Sequence, residues 1–277
     1  DAETASISPQ AIEQAITKRT RGVVAVHYGG YPVDMDRIVA ICQKHNLALI
    51  EDCAHAQGPE WRGRKVGAIG HAGAFSFQQS KAFTAGEGGI VLCDDPAIAE
   101  RAQLLHNIGR VAGKPGYEHE VVASNHRMLE IQAALLLSQL RRFRQDYMRE
   151  RQDIGEFLAA GLLQIGGVAP LRRDERITQR GYYFFVIRYD QQEFGGVHRD
   201  RFLDALRAEG VPCGAGYRMP LYKQAAFRRD RIAPFLAESS QPWPDYEHMY
   251  LPTAERFTAE EQITIPHQTL LSGRQGM

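Results

Sequence analysis

The stretch Gly73-Ala74-Phe75-Ser76-Phe77-Gln78-Gln79-Ser80-Lys81-Ala82-Phe83-Thr84-Ala85-Gly86-Glu87-Gly88-Gly89 decides how the rest of this chain is read. An apolar run ends in small and polar residues, a single lysine follows, and a Gly-Glu-Gly-Gly turn closes the segment. Upstream, in Leu49-Ile50-Glu51-Asp52-Cys53-Ala54-His55-Ala56-Gln57-Gly58, a strand-like apolar run from Leu47 to Ile50 ends in two carboxylates. A lysine among glycines is ordinarily a solvated loop residue, and an aspartate at a strand end is ordinarily a helix cap. The pair, taken together, offers something more specific. An amine can form a Schiff base with an aldehyde, and a carboxylate can hold the proton of a pyridine nitrogen; pyridoxal 5'-phosphate (PLP) needs both.

Working outward, the pattern is that of an α/β protein. Ser8 and Pro9 open a short amphipathic helix with apolar residues at 11, 12, 15 and 16. Gly22 to His27 reads as a buried strand, Tyr28-Gly29-Gly30-Tyr31-Pro32 as a turn, and Asp34 to Ile41 as a capped helix. With Leu47–Ile50 as the next strand this is a βαβ unit, so the sheet is expected to be parallel. Trp61 to Gly67 is a basic, hairpin-like loop; Ala72–Phe77 and Gly89–Cys93 are further strands, and Asp95-Pro96 caps a helix. A long helix is expected from Ile131 to about Leu163. Beyond Gly166, Tyr182–Tyr189 reads as a central strand and Asp200–Glu209 as an amphipathic helix, while Val211–Leu221 is similar to the small-domain strand and substrate-side tail of the family named below.

Bulk properties narrow the class. The chain has 277 residues with 33 basic and 33 acidic side chains, which gives no reason to expect nucleic acid or a membrane surface as a partner. No apolar run approaches the roughly 18 residues of a membrane helix. The four cysteines, Cys42, Cys53, Cys93 and Cys213, are widely spaced with no CxxC pair, which speaks against a zinc site and for a reducing, cytoplasmic setting. No metal is expected.

Several segments resemble one family. Glu51-Asp52-Cys53-Ala54-His55, Phe75-Ser76-Phe77 with Lys81, Gly86-Glu87-Gly88-Gly89 and Asn125-His126-Arg127-Met128 are similar to the pattern of the DegT/DnrJ/StrS-type sugar and cyclitol aminotransferases. These are PLP enzymes of the aspartate aminotransferase fold, type I. The resemblance implies a mostly parallel central sheet with helices on both faces, plus a smaller α+β C-terminal domain. It implies residues 1–125 as part of the large PLP-binding domain, 126–165 as a linking helix and 166–277 as the small domain. Placed against the family, the chain is expected to lack the start of the large domain and the last helix. Its phosphate turn and ring-stacking aromatic would then lie upstream, and apolar sheet surface would be exposed.

By the same resemblance Lys81 is the Schiff-base lysine and proton carrier, and Asp52 the partner of the pyridinium nitrogen. His55 lies beside the ring's phenolic oxygen, Ser76 meets the phosphate, and Asn125 reaches the phosphate of a partner subunit, which implies a homodimer with shared sites. His27 and Tyr217 are expected on the substrate side. Glu51, which strand alternation turns away from Asp52, is expected to matter little. The implied reaction moves an amino group from glutamate or glutamine to a keto-sugar, nucleotide-keto-sugar or keto-cyclitol, in antibiotic or surface-polysaccharide biosynthesis. The same segments resemble enzymes that make 3-amino-5-hydroxybenzoate by aromatising elimination, and a regulatory relative without turnover is the non-enzymatic alternative. Lys81 argues against the members that replace this lysine with histidine.

Overall fold

The computed structural model describes residues 1–232 and 244–273. The chain divides into two compact units: a larger one (Ser6–Phe157, Arg173–Phe184, His267–Met277) and a smaller one (Asp1–Ala5, Leu158–Arg172, Phe185–Pro266). The expected boundaries at 125 and 165 therefore describe the chain differently. The long helix crosses from one unit to the other, and residues 173–184 return to the larger unit. The helix start expected at the extreme C-terminus falls on residues 274–277, outside the described residues.

In the larger unit, Ser8 Oγ accepts the Ala11 N–H and so caps helix α1 (Pro9–Ala15), with proline in the first turn where its missing N–H costs nothing. Strand β1 (Gly22–Val26) leads into helix α2 (Met35–His45), whose N-terminus is capped by Asp34 and whose C-terminus ends on Asn46 in the left-handed conformation. Strand β2 (Ala48–Asp52) pairs in parallel with β1, Val26 opposite Asp52. A short hairpin, β3 (Glu60–Trp61) and β4 (Arg64–Lys65), follows the second strand. Strand β5 (Ala72–Ser76) adds in parallel to β2, and β6 (Gly89–Leu92) closes the sheet antiparallel to β5, giving the order β1-β2-β5-β6.

Strand alternation gives this sheet two very different faces. Val23, Ala25 and Leu49 point into a core with Val33, Met35, Ile38, Ile41, Cys42, Trp61 and Val66. Burying side chains of this size stabilises the fold by roughly 1.5–3 kcal/mol each. The opposite face is open: Val24, Val26 and Ile50 are 55%, 42% and 43% exposed. Asp52 and Ala74, paired in register, lie on this open face, and Ser76 follows two residues beyond Ala74.

Helix α3 (Pro96–His106) is capped by Asp95, and helix α4 (Glu130–Arg142) runs through a π-helical turn at Phe143–Tyr147 into α5 (Met148–Leu162). The expected long helix is thus present, with one wide turn inside it. Phe77, Phe83, Leu136, Phe143 and Met148 form a second core, in which Phe83 packs 5.5 Å from Phe77 and 5.2 Å from Phe143, centroid to centroid.

The smaller unit has a three-stranded sheet in the order β10-β9-β7, made of β7 (Val168–Pro170), β9 (Phe184–Tyr189) and β10 (Gln262–Pro266). The intervening strand β8 (Ile177–Gln179) belongs instead to the larger unit, where it pairs with β3. Helix α6 (Arg199–Ala208) brings Leu203 inward, and its buried Arg199 donates to the carbonyls of Thr258 and Gln262. The strand expected over Val211–Leu221 is absent. That segment makes one isolated bridge, Gly214 to Thr264, because Pro212, Gly214, Gly216 and Pro220 interrupt a regular ladder.

Candidate active site

The lysine loop is held by its own ends and by the helix behind it. Phe77 and Phe83 are buried on either side of Lys81, and the Phe77 carbonyl accepts both the Ala85 N–H (2.9 Å) and the Thr84 hydroxyl (2.9 Å). Gln139 of α4 donates to the Thr84 carbonyl at 2.7 Å, and Gln132 to the Glu87 carbonyl at 2.9 Å. The stretch between the two buried phenylalanines is thus a closed loop after β5, in which the Lys81 N–H donates to the Gln78 carbonyl. Gly73 is obligatory for a related reason. A Cβ there would lie 2.3 Å from the Gly67 carbonyl oxygen, so only glycine lets the loop before β5 lie against the strand.

Lys81 is half-buried, and among the described residues it makes no ion pair. Burial lowers its pKa from the ordinary 10.5, while the charge of Asp52 acts in the opposite direction. Asp52 ends β2 on the open face, and its Oδ1 accepts the Ala54 N–H at 2.9 Å. His55 is buried, takes the Gly29 N–H on Nδ1 at 3.5 Å, and has its pKa pushed down to about 3, by desolvation first and then by the positive charge of Lys81. Ser76 is half-buried, its hydroxyl accepting the Gln78 N–H at 3.3 Å. Four of the expected residues thus gather at the C-terminal edge of the parallel strands, where open α/β sheets present their ligand sites.

His27 and Asn125 do not join them. His27 is fully buried and both ring nitrogens are engaged: Nδ1 accepts the Val33 N–H at 3.2 Å, and Nε2–H donates to Glu51 at 3.0 Å. No part of it is offered to a small molecule, so the expected substrate contact gives way to a structural role. Asn125 is exposed, bridges Asn107 and accepts the Arg127 N–H. Tyr217 lies in the smaller unit and is 57% exposed.

Glu51 corrects the sequence reading more sharply. It does face away from Asp52, but into the core rather than into solvent. Its carboxylate is 0% exposed and accepts N–H bonds from Gly67 (2.7 Å), Ile69 (2.7 Å) and Gly70 (2.6 Å), besides the one from His27. Burial alone would raise its pKa; the hydrogen bonds from His27, Gly67 and Gly70 outweigh that and hold it below the ordinary value. His27, Glu51 and Cys53 bring ligand-type atoms within 4.8 Å of one another, but the lone pairs of the first two are already committed to N–H donors. Burial, followed by the charges of Glu51 and Asp52, pushes the Cys53 thiol well up, so it is inert.

Two aromatic groups at the site carry no signal in the local sequence. Tyr183 stacks on His55 at 4.2 Å between centroids, and His267 lies 5.7 Å from Tyr183 at the same 25° tilt. Both come from far along the chain, and only the return of residues 173–184 and of the segment from His267 onward to the larger unit puts them here. A cleft of about 750 Å³ lies in the smaller unit, and none of the candidate residues line it.

In this α/β fold a parallel strand ends in an acid and a lysine loop lies beside it, and such a fold hosts many group-transfer chemistries. The chain belongs to the DegT/DnrJ/EryC1/StrS aminotransferase family, whose model matches residues 1–269. It is 40% identical over 277 residues to a Micromonospora echinospora protein provisionally named L-glutamine:3-amino-2,3-dideoxy-scyllo-inosose aminotransferase, covering 95% of this chain and 64% of that one. It is 36% identical over 290 residues to the L-glutamine:2-deoxy-scyllo-inosose aminotransferase of Streptoalloteichus tenebrarius, covering 100% of this chain and 67% of that protein. Among solved structures it is similar to 3-amino-5-hydroxybenzoic acid synthase, with a TM-score of 0.85 and 30% identity over 100% of this chain and 69% of that one. The fold is accordingly the α/β fold type I of PLP-dependent aminotransferases. The chain spans just under two thirds of the length of the first of these relatives. Among the described residues no helix is long and apolar enough to cross a membrane.

Proposed function

We propose that this chain carries the reactive lysine of a PLP-dependent aminotransferase site that moves an amino group from glutamine or glutamate to a keto-cyclitol or keto-sugar. The donor set supports the cofactor: an amine with lowered pKa, a carboxylate on the same open sheet edge, a hydroxyl on the last residue of β5, and a neutral imidazole. Bound PLP supplies an electron sink for carbanionic charge beside the transferred nitrogen. Lys81 would hold the cofactor covalently and, when released, carry the proton between the two carbons concerned. Asp52 would keep the pyridine nitrogen protonated, Ser76 would donate to the phosphate, and His55, neutral throughout the working pH range, would face the ring as a hydrogen-bonding group.

The observation that carries the reading is the gathering of Lys81, Asp52, His55 and Ser76 at one open sheet edge, with Asp52 close enough for its charge to act on the Lys81 amine. Two relatives named for glutamine and inosose substrates support the cyclitol acceptor. Exposed Asn125, apart from the cluster, fits a homodimer in which it serves a partner's site.

Incubation with PLP, borohydride reduction and peptide mapping should place the label on Lys81. A label on Lys18, Lys65 or Lys114 would overturn the assignment. Incubation with glutamine and a panel of keto-cyclitols should then yield the aminated product, whereas a new aromatic chromophore would favour the hydroxybenzoate-type elimination.

A further inference from the structure

We propose that Tyr183 is a positioning residue for the Lys81 amine, its ring face holding the ammonium form in place and its hydroxyl locked to the lysine loop. The inference rests on Lys81 being the reactive lysine of the function proposed above. Lys81 Nζ lies 4.9 Å from the centroid of the Tyr183 ring, inside the range at which the ring quadrupole attracts a cation. Tyr183 is 6% exposed, so this contact is made in a largely dry environment, where such attraction is strongest.

The hydroxyl is tethered in one sense only. Ser80 donates both its N–H (2.8 Å) and its O–H (2.7 Å) to Gln78 Oε1. The serine hydroxyl has a single hydrogen, so in the 3.0 Å contact between Ser80 Oγ and the Tyr183 hydroxyl the tyrosine is the donor. The chain thus runs Tyr183 O–H to Ser80 O–H to Gln78, and it fastens the ring to the residue immediately before Lys81. The phenolic lone pairs remain on the outer side of this chain as acceptors.

The backbone is arranged to hold the ring there. Tyr182 sits at φ +45°, a left-handed conformation that a bulky residue keeps only when its surroundings enforce it. Those surroundings are on both sides. Gly30 accepts the Gly181 N–H at 2.9 Å, the buried Arg151 donates to the Gly181 carbonyl at 3.3 Å, and Gln152 accepts the Arg180 N–H at 2.9 Å. Gly30 itself must be glycine: at φ +81° its Cβ would lie 2.8 Å from the Tyr182 nitrogen.

The titratable and charged groups around Lys81 are Asp52 from β2, His55 from the turn after it, Tyr183, and His267, whose Nε2 lies 3.4 Å from the Ser80 carbonyl oxygen. Asp52 and the Tyr183 ring favour the ammonium form, while burial opposes it.

The test compares Tyr183→Phe with the same position carrying pentafluorophenylalanine, which keeps the shape and removes the negative ring face. Acetylation of Lys81 in the apo chain, followed across pH by peptide mass spectrometry with exposed Lys18 as reference, reads the amine's pKa without any cofactor. The fluorinated ring should lower it by about half to one and a half pH units relative to phenylalanine, the span of a cation–π contact. Equal pKa values for the two rings would overturn the proposal. In a separate arm, Ser80→Ala should broaden the dependence of labelling rate on pH less than it raises the rate itself, because it frees the loop and leaves the ring; an unchanged rate would refute the tether. Because both arms use apo protein, a parent chain that fails to bind PLP would count against the aminotransferase reading alone.

Discussion

At the scale of single residues, Asp52 and Glu51 are neighbours with opposite duties. Asp52 spends one hydrogen bond on the Ala54 N–H and leaves its charge to act on Lys81. An asparagine there could keep that bond through its carbonyl oxygen, but it could not hold a pyridinium proton. Asp52→Asn should therefore change stability by about 1 kcal/mol or less while weakening PLP retention at least tenfold. Chemical denaturation and equilibrium dialysis against PLP measure the two effects separately, and unaltered retention would reduce Asp52 to a turn-forming residue. His55 shows how one cation reshapes another group: its depressed pKa owes part of its size to Lys81, after burial.

At the scale of elements, the β2 strand end and the loop before β5 are one structure joined by Glu51. Three consecutive-turn N–H groups, from Gly67, Ile69 and Gly70, converge on a carboxylate with no exposure, and His27 ties the end of β1 to the same anion. Glu51→Ala would leave these donors buried and unmet, at a cost of about 1–3 kcal/mol for each that water cannot reach. We expect a loss of roughly 3–5 kcal/mol in urea unfolding, as for breaking a buried charge from its partners. Lys81 labelling in the surviving folded fraction should be unchanged. A loss below about 1 kcal/mol would return Glu51 to the indifferent role that strand alternation first suggested. The strand pattern placed it on the correct face. What alternation could not say is that this face is covered by α2 and the loop, while the face bearing Asp52 lies open.

For the whole molecule the distinctive prediction concerns acid. His55 and His267 are both buried, with pKa values pushed down to about 3 and about 4 from an ordinary 6.5. Below pH 6.5 the unfolded chain takes up protons at these positions and the folded chain does not, so stability must fall as pH falls. The window runs from about 6.5 down to about 4 for His267 and about 3 for His55. Each contributes at most about 1.4 kcal/mol per pH unit, and less near 6.5 where the unfolded imidazole is half protonated, so about 2 kcal/mol should be lost between pH 6.5 and 5.5. Glu51 adds to the loss only further down, as pH falls through its own lowered pKa. Urea unfolding at pH 7.0 and 5.5 measures the slope, and His55→Gln with His267→Gln should flatten it. Equal stability of the parent chain at the two pH values would show that both histidines protonate freely in the fold.

Much of this protein could be read along the chain because its governing signals are local. Ser8, Asp34 and Asp95 cap the helices they precede, the βαβ spacing enforces parallel pairing, and the lysine loop is bracketed by Phe77 and Phe83 within a few residues. The pairing of an acid at a strand end with a lysine in a glycine-rich loop pointed to PLP-type chemistry, and the segments around it carried the resemblance to the family. Only the tertiary structure decided which face of the sheet is open, which turned Glu51 and His27 into an anchor and left Asp52 to the site. Tyr183 reaches Lys81, and His267 reaches Tyr183 and the Ser80 carbonyl, through the return of distant segments to the larger unit, a long-range closure that leaves no periodicity or spacing in the sequence around them. Contacts between residues a hundred positions apart are set by how the elements pack, and packing is a property of the folded whole.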